Sequence, residues 1–207
     1  KLVNRCRQEG VTVTSAVSSA IIYALSKSAK HERLERSSLQ IGIVADPRRR
    51  YIPPVPNYDL CDHVSSGMFF TMPMRDMPTT RVDMWNLVRR FGDHTKKCLD
   101  ANQVLTFGIL GGKIFSKMLD ISNPPDIATC SISSWGILPF REQYGPWKLE
   151  GMTPILNMVF IYMPFFTFQT VNGVLTIMFG GNDPVIPLNV LEPLRDCTIQ
   201  KLHEMIE

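Results

Sequence analysis

Two short groups of residues have side chains that could contact a charged or polar substrate, and each follows an apolar, strand-like stretch. The first is Arg48-Arg49-Arg50, which comes after segment 39–44 and Asp46-Pro47. Guanidinium groups bind phosphates through paired hydrogen bonds, and ligands gather at strand ends in α/β sheets. The run is therefore either a phosphate contact, as for coenzyme A or a phosphopantetheine arm, or a solvated basic loop, and composition alone favours the loop. Asp46 is the expected ion-pair partner that orients one arginine.

The second group is Ser133-Ser134-Trp135-Gly136, which ends an apolar segment and precedes Ile137-Leu138-Pro139. A tryptophan flanked by small residues can form the wall of a channel, with serine hydroxyls available to bond a substrate. The same four residues also fit the packed end of a strand. By itself this group does not decide between the two interpretations.

His94 and Cys98 form a third candidate, because a spacing of four places both on one face of a predicted helix. Such a pair could be a thiolate with its imidazolium or two metal ligands. A free cysteine is more often a small buried apolar residue, so we favour a boundary histidine beside a core cysteine. Cys61-Asp62-His63 is a similar candidate, and we favour a structural interpretation of it for the same reason. We predict no metal site.

Two motifs of hydrolases and nucleotide-binding proteins are absent from the sequence. No Gly-x-Ser-x-Gly occurs, so a hydrolase nucleophile elbow is not supported. Gly108–Lys113 resembles part of a phosphate loop, but the residues on either side do not fit. Phe107 stands where the motif requires glycine, and Ile114 stands where it requires serine or threonine. The serine-rich segments near Ser15–Ser19 and Ser131–Ser134 are interpreted as surface or small-residue packing positions.

The composition, 44% hydrophobic and 20% charged with a net charge of +3 over 207 residues, is ordinary for a folded soluble protein. A basic stripe with interleaved aromatics is missing, so we predict no nucleic-acid partner. The five cysteines are widely spaced without a Cys-x-x-Cys pattern, which favours a reducing compartment, and the start shows no signal peptide; we expect a cytoplasmic protein. The apolar stretch Met152–Phe168 contains Pro154, Asn157 and Pro164 and is shorter than the ~20 residues of a membrane span.

Periodicity predicts one α/β domain, a two-layer sandwich with a mixed β-sheet and flanking helices. Thr14 is the expected cap of the first helix, and Thr80-Arg81-Val82-Asp83 has capping-box spacing before a long helix. Asn172-Gly173 suits a type I′ hairpin turn. The predicted strands are 39–44, 65–72, 127–137, 155–163, 167–171 and 174–179, and further helices are predicted at 109–119 and 191–206.

In order along the chain, these segments resemble the C-terminal lobe of the chloramphenicol-acetyltransferase-like superfamily. That superfamily includes condensation domains, polyketide-associated acyltransferases and alcohol O-acyltransferases. The matching segments are Gly10–Ala16 at a helix start, Ala45–Arg50, Ser65–Phe70, Ser131–Gly136, Asn172–Leu175 and Asn182-Asp183. Ser134 departs from the pattern, because the family commonly has asparagine there, and its shorter side chain reaches less far.

The resemblance implies a function that residues 1–207 cannot perform alone. In the family, a histidine of a His-His-x-x-x-Asp motif in the N-terminal lobe is the general base, and this chain contains no such motif. We therefore expect a single C-terminal acyltransferase lobe, with no catalytic residue in this chain. Its expected tunnel residues are Ser133, Ser134, Trp135 and Gly136, and its expected structural or phosphate-contacting residues are Asp46, Arg48, Arg49 and Arg50.

The same resemblance implies acyl-CoA or acyl-phosphopantetheine as co-substrate, with no permanently bound cofactor. The expected partners are the N-terminal lobe, an alcohol or amine acceptor and, as a further candidate, an acyl carrier protein. Met152–Phe168 and the Pro53–Pro56 loop are candidate apolar contacts with the other lobe. One alternative is a non-catalytic binding module with the same fold, and another is an independent cysteine–histidine enzyme.

Overall fold

Five strands form a mixed sheet in which the three central strands are parallel. The computed structural model describes residues 1–28, 37–56, 65–106, 128–158 and 161–207. The strands are β1 (Ser38–Ala45), β2 (Ser65–Pro73), β3 (Cys130–Ile137), β6 (Phe165–Val171) and β7 (Val174–Gly180), and the short pair β4 (Gln143–Tyr144) and β5 (Trp147–Lys148) lies outside the sheet. The strand order is β2-β1-β3-β6-β7, and β2 and β7 run antiparallel to their neighbours. Consequently β1, β3 and β6 end at the same edge.

Among the described residues, three of four α-helices pack against the sheet, and the short α1 packs on two of them. The four helices are α1 (Leu2–Gln8), α2 (Val13–Ser28), α3 (Arg81–Asp100) and α4 (Leu188–Ile206). In β1, Leu39, Ile41 and Ile43 alternate with more polar neighbours, as expected of a strand with one buried face. These three side chains join α2, α3 and α4 in one apolar core. The predicted two-layer α/β sandwich with a mixed sheet is confirmed.

Helix α2 is buried on all sides, which corrects the surface interpretation of its serines. Ser15, Ser18 and Ser19 are at most 4% exposed. α2 packs between the sheet core and a second apolar cluster that includes residues of α1, α3 and α4. Small side chains permit this close packing: a Cβ added at Gly92 of α3 would lie 2.9 Å from the Ser15 Oγ. The alternative interpretation, small-residue packing, fits these positions.

The helix caps agree with the prediction at α3 and differ at α2. Thr80 and Asp83 form the predicted capping box, and the hydrogen bonds from Thr80 lower the pKa of the Asp83 carboxyl. At α2, Thr12 is the capping residue, because its Oγ1 accepts a hydrogen bond of 3.0 Å from the Ser15 backbone N–H. The prediction of Thr14 as the cap is wrong, since Thr14 already lies in the first turn. Its hydroxyl is therefore available for other contacts.

The hairpin prediction is confirmed and one strand prediction is wrong. Asn172 and Gly173 both have positive φ, at 49° and 81°, as a type I′ turn between β6 and β7 requires. Segment 155–163, predicted as a strand, contains no strand in its described residues 155–158 and 161–163. Pro154, which has no N–H, interrupts the start of this region, and Pro164 closes it. Just before this region, the Met152 carbonyl accepts a 2.8 Å hydrogen bond from the Gln169 side chain of β6.

Three sequence-based candidates lie outside the described residues. They are Cys61-Asp62-His63, the glycine-containing segment 108–113 and the predicted helix 109–119. The pair β4 and β5 was not predicted, although Gly145-Pro146 between the two strands is a common turn sequence. In the described part of the chain, no helix has the length and apolar character needed to cross a membrane.

Candidate functional site

A cavity of about 590 Å³ lies where β1 and β3 end, between the sheet and helices α2 and α3. It brings together residues from both groups singled out in the sequence: Asp46, Arg49 and Arg50 after β1, and Ser134, Trp135 and Gly136 in β3. The reason is topological. β1 and β3 are parallel neighbours whose last paired residues are Val44 and Ser133, so the chain leaves both strands at the same edge.

The basic side of the cavity is a single 3₁₀ turn, Arg48–Arg50. Arg48 points its guanidinium at Asp46, with Nε 2.8 Å from Oδ2, and its backbone N–H donates to the same carboxylate at 2.9 Å. Arg48 is thus committed to Asp46 and is not part of the lining, while Arg49 and Arg50 are. The Arg50 guanidinium also donates to Asn102 Oδ1 at 3.3 Å, which ties it to the end of α3.

The opposite wall is formed by the end of β3, where the strand contains a β-bulge. The register with β6 shifts between Ser134 and Gly136, and Gly136 has φ of 71°, a left-handed conformation that favours glycine. Trp135 has no partner in that ladder, is 38% exposed and lines the cavity. Ser133 is buried and is not among the lining residues, because adjacent strand residues point to opposite faces.

Two lining residues on α2 were not singled out as site residues. Thr14 and Ser18 are four residues apart and lie on one face of the helix, which is the signal that could have identified them. The Thr14 Oγ1 lies 3.0 Å from the Ser134 Oγ, so α2 and β3 are joined by a hydroxyl pair inside the cavity. Between these polar groups the lining is apolar, with Ile43, Phe91 and Ile132.

The fold is shared with solved acyltransferases and condensation domains at low sequence identity. A trichothecene 15-O-acetyltransferase from Fusarium sporotrichioides matches with a TM-score of 0.73 and 12% identity, over 97% of this chain and 43% of that chain. Polyketide synthase associated protein 5 from Mycobacterium tuberculosis matches with a TM-score of 0.68 and 14% sequence identity. The match covers 98% of this chain and 48% of that chain. A condensation domain that mediates chain release from the enacyloxin polyketide synthase matches with a TM-score of 0.59 and 11% sequence identity. That match covers 99% of this chain and 38% of that chain.

This chain has the chloramphenicol-acetyltransferase-like fold. It spans less than half the length of each of these three solved chains. No protein-family model matches the sequence, and no curated protein matches it significantly.

Within this acetyltransferase-like fold, the described lining of the cavity combines charged, hydroxyl and apolar side chains. Its titratable lining residues are Asp46, Arg49 and Arg50, and it contains no histidine. The Asp46 carboxylate accepts hydrogen bonds from Arg48, which leaves the Arg49 and Arg50 side chains as the cationic groups of the described lining. The lining can therefore attract an anionic group, hydrogen-bond a polar one and pack against an apolar chain. The described residues also contain no cluster of metal-binding side chains.

His94 and Cys98 lie together but in a structural arrangement. The His94 Nε2 is 2.8 Å from the Phe69 carbonyl oxygen and 3.3 Å from the Cys98 Sγ. A carbonyl only accepts hydrogen bonds, so the Nε2 carries the proton and cannot take one from the thiol. Cys98 is 5% exposed, and burial raises the pKa of its thiol. A nucleophilic cysteine requires the opposite shift, which argues against the independent cysteine–histidine enzyme.

We expect Cys98 to react slowly with a thiol reagent in the folded protein. In variants that keep a single cysteine, labelling of Cys98 at neutral pH should be at least about 100-fold slower than after denaturation, because local opening must precede reaction. Cys197, on α4 and only half-buried, is the matched control and should react faster. Rapid labelling of Cys98 that persists below neutral pH would contradict the structural role.

Proposed function

We propose that this chain is one lobe of an acyltransferase that moves an acyl group from a CoA or carrier-protein thioester to a hydroxyl or amine. The observation that carries the proposal is the cavity in which Arg49 and Arg50 face Ser134 and Trp135. The shared fold with an acetyltransferase and a condensation domain supports the same class of reaction. The general base comes from a second lobe with a His-His-x-x-x-Asp motif.

In this proposal the cavity holds the thioester donor. Arg49 and Arg50 contact a phosphate of coenzyme A or of a phosphopantetheine arm, for which guanidinium groups are suited. Trp135 and Ser134 line the path of the arm or of the acceptor. The histidine of the other lobe removes the proton from the acceptor hydroxyl or amine, which attacks the thioester carbonyl. The C–S bond then breaks, and the departing thiolate is protonated to the free thiol.

Exposed apolar residues at the end of β3 and in the loops support contact with another lobe. Ile137 is 81% exposed and Trp147 is 77% exposed, and both lie within twelve residues of Trp135. Ile155 and Ile52, on or beside the two segments predicted to meet the other lobe, are also exposed. The second half of Met152–Phe168 does not contribute, because β6 lies between β3 and β7 and buries Phe166 and Phe168. The partner surface therefore involves the segments around Ile52, Trp147 and Ile155.

The test is acyl transfer from acetyl-CoA to a panel of alcohols and amines, measured with this chain and with the parent polypeptide that carries both lobes. We expect turnover only from the two-lobe protein, and a loss of about 10²–10⁴-fold when the histidine of its motif that acts as general base is changed to alanine, the usual contribution of a general base. Turnover by the isolated chain would contradict the proposal. Donor binding without turnover in the two-lobe protein would favour a non-catalytic binding module.

A further inference from the structure

Ser18 presents a buried hydroxyl on the cavity lining that has no partner among the described residues. The side chain is 0% exposed, and its Oγ makes no hydrogen bond. Other serines of α2 satisfy theirs within the helix, since Ser26 donates to the Tyr23 carbonyl at 2.6 Å and Ser28 donates to the Ala24 carbonyl at 3.2 Å. Ser19 also has a buried, unpaired hydroxyl, but it does not line the cavity. An unpaired hydroxyl in an apolar interior is costly, so Ser18, which does line the cavity, is the one that a ligand can pair.

The other hydroxyls on the described lining, those of Thr14, Thr95 and Ser134, are already paired. Thr14 is 3.0 Å from Ser134, and Thr95 donates to the Phe91 carbonyl at 2.9 Å. Ser18 shares the face of α2 with Thr14, one turn further from the helix start. The same lining includes Met68 and Ile132, both buried and apolar. A polar group that reached this part of the cavity would therefore find Ser18 as its hydrogen-bond partner.

We propose that Ser18 binds an oxygen-bearing group, a hydroxyl or a carbonyl, at the buried end of the molecule that occupies this cavity. A serine hydroxyl donates one hydrogen bond and accepts two, so it suits either group. Because Ser18 has no solvent-exposed surface, the ligand must displace a neighbouring side chain, and unbranched Met68 on the same lining can repack. The inference rests on the proposed function for the anionic end of the ligand only.

The ligand class that follows is an amphiphile with three parts. Its anionic group pairs with Arg49 and Arg50, its apolar middle packs along Phe91 and Ile132, and its oxygen meets Ser18. A site built to hydrogen-bond a substrate oxygen rejects the analogue that lacks it, because the buried protein group is then left unpaired. Ser18 is thus a specificity-determining residue that favours oxygenated chains over plain hydrocarbon chains.

The test measures binding to the folded chain by calorimetry, with alkyl phosphates of about four to ten carbons and the same molecules carrying a terminal hydroxyl. At the chain length that fits best, the hydroxyl-bearing phosphate should bind about tenfold more tightly. Ser18→Ala should reduce that ratio to about one. Ser19→Ala is the matched control: Ser19 is also fully buried with an unpaired hydroxyl but does not line the cavity, so the ratio should persist.

A second pair of substitutions separates this inference from the proposed function. Arg49→Ser with Arg50→Ser should weaken binding of both phosphates equally and leave the hydroxyl preference intact. Alkyl phosphates that bind without any hydroxyl preference would overturn the role of Ser18 while leaving the phosphate site standing. A preference that survives Ser18→Ala would also overturn it. A third outcome is a hydroxyl preference that depends on Ser18 while the double arginine variant binds the phosphates as tightly as the unmodified chain. That outcome would support the role of Ser18 and contradict the phosphate site.

Discussion

Replacing Arg49 and Arg50 with serine together is expected to weaken coenzyme A binding by about 30- to 100-fold. Each charge-assisted hydrogen bond to a phosphate contributes roughly 1.5–3 kcal/mol when well formed, and solvent screening at the cavity mouth reduces the pair to about 2–3 kcal/mol in total. Both guanidiniums are on the lining, and the ion pair with Asp46 uses only Arg48. Calorimetric titration of the folded chain with coenzyme A measures the effect.

A second basic cavity provides the matched control for this experiment. Arg89 and Arg90 line a cavity of about 600 Å³ beside His94, and replacing both with serine removes the same charge. That double variant should bind coenzyme A with nearly unchanged affinity. Titration with 4′-phosphopantetheine tests whether the arm phosphate is sufficient. Equal weakening by both double variants would mean that the arginines act through net charge and not through a site.

Phe91→Ala is expected to reduce mainly the stability of the fold, whereas Trp135→Ala is expected to change mainly the ligand preference. Both side chains line the cavity, but Phe91 is 1% exposed and packs edge-on against Phe70 with ring centroids 5.1 Å apart, whereas Trp135 is 38% exposed. Truncating a buried phenylalanine costs about 3–5 kcal/mol, so Phe91→Ala should lower the free energy of unfolding by that amount. Trp135→Ala should cost about 1 kcal/mol or less.

The change in substrate preference should be larger for Trp135→Ala than for Phe91→Ala. In the two-lobe protein, Trp135→Ala should change the preference among acceptors or acyl chains about tenfold, because it removes part of the cavity wall while the fold persists. Denaturant unfolding of each variant and relative kcat/KM values for a set of acyl chains measure the two effects. Unfolding of Trp135→Ala at ordinary temperature would place this tryptophan in the core and contradict its role in the wall.

The sequence predicts the parts of the site that directly follow a recognisable strand. The alternation of Leu39, Ile41 and Ile43 identifies β1, and Pro47 ends it, so the arginines had to follow a strand. Asn172-Gly173 similarly identifies the last hairpin. That β1 and β3 are parallel neighbours, which brings the arginines to Trp135, depends on long-range pairing that no local pattern encodes. The resemblance to a known family implied a tunnel wall at Trp135 and a strand-end or phosphate role for the arginines, but it did not place the two groups in one cavity.

What the sequence did not reveal has a physical reason in α2 and in the segment before β6. Ser15, Ser18 and Ser19 alternate with Ala16 and Ala20, so the small side chains fit either a mildly polar surface or a helix packed on every side. Only the positions of α1, α3 and α4 decide between the two. Residues 155–158 are apolar enough for a strand, but β6 occupies the place beside β3 in the sheet, and this segment contains no strand.

The most direct test of the central claim is a crystal structure of this chain with coenzyme A bound. The proposal predicts a phosphate oxygen within about 3 Å of a guanidinium nitrogen of Arg49 or Arg50. It also predicts that the pantetheine arm runs along Trp135 and Ser134 into the cavity at the ends of β1 and β3. Coenzyme A bound in the second basic cavity, against Arg89, Arg90 and Lys97, would contradict the assignment of the site.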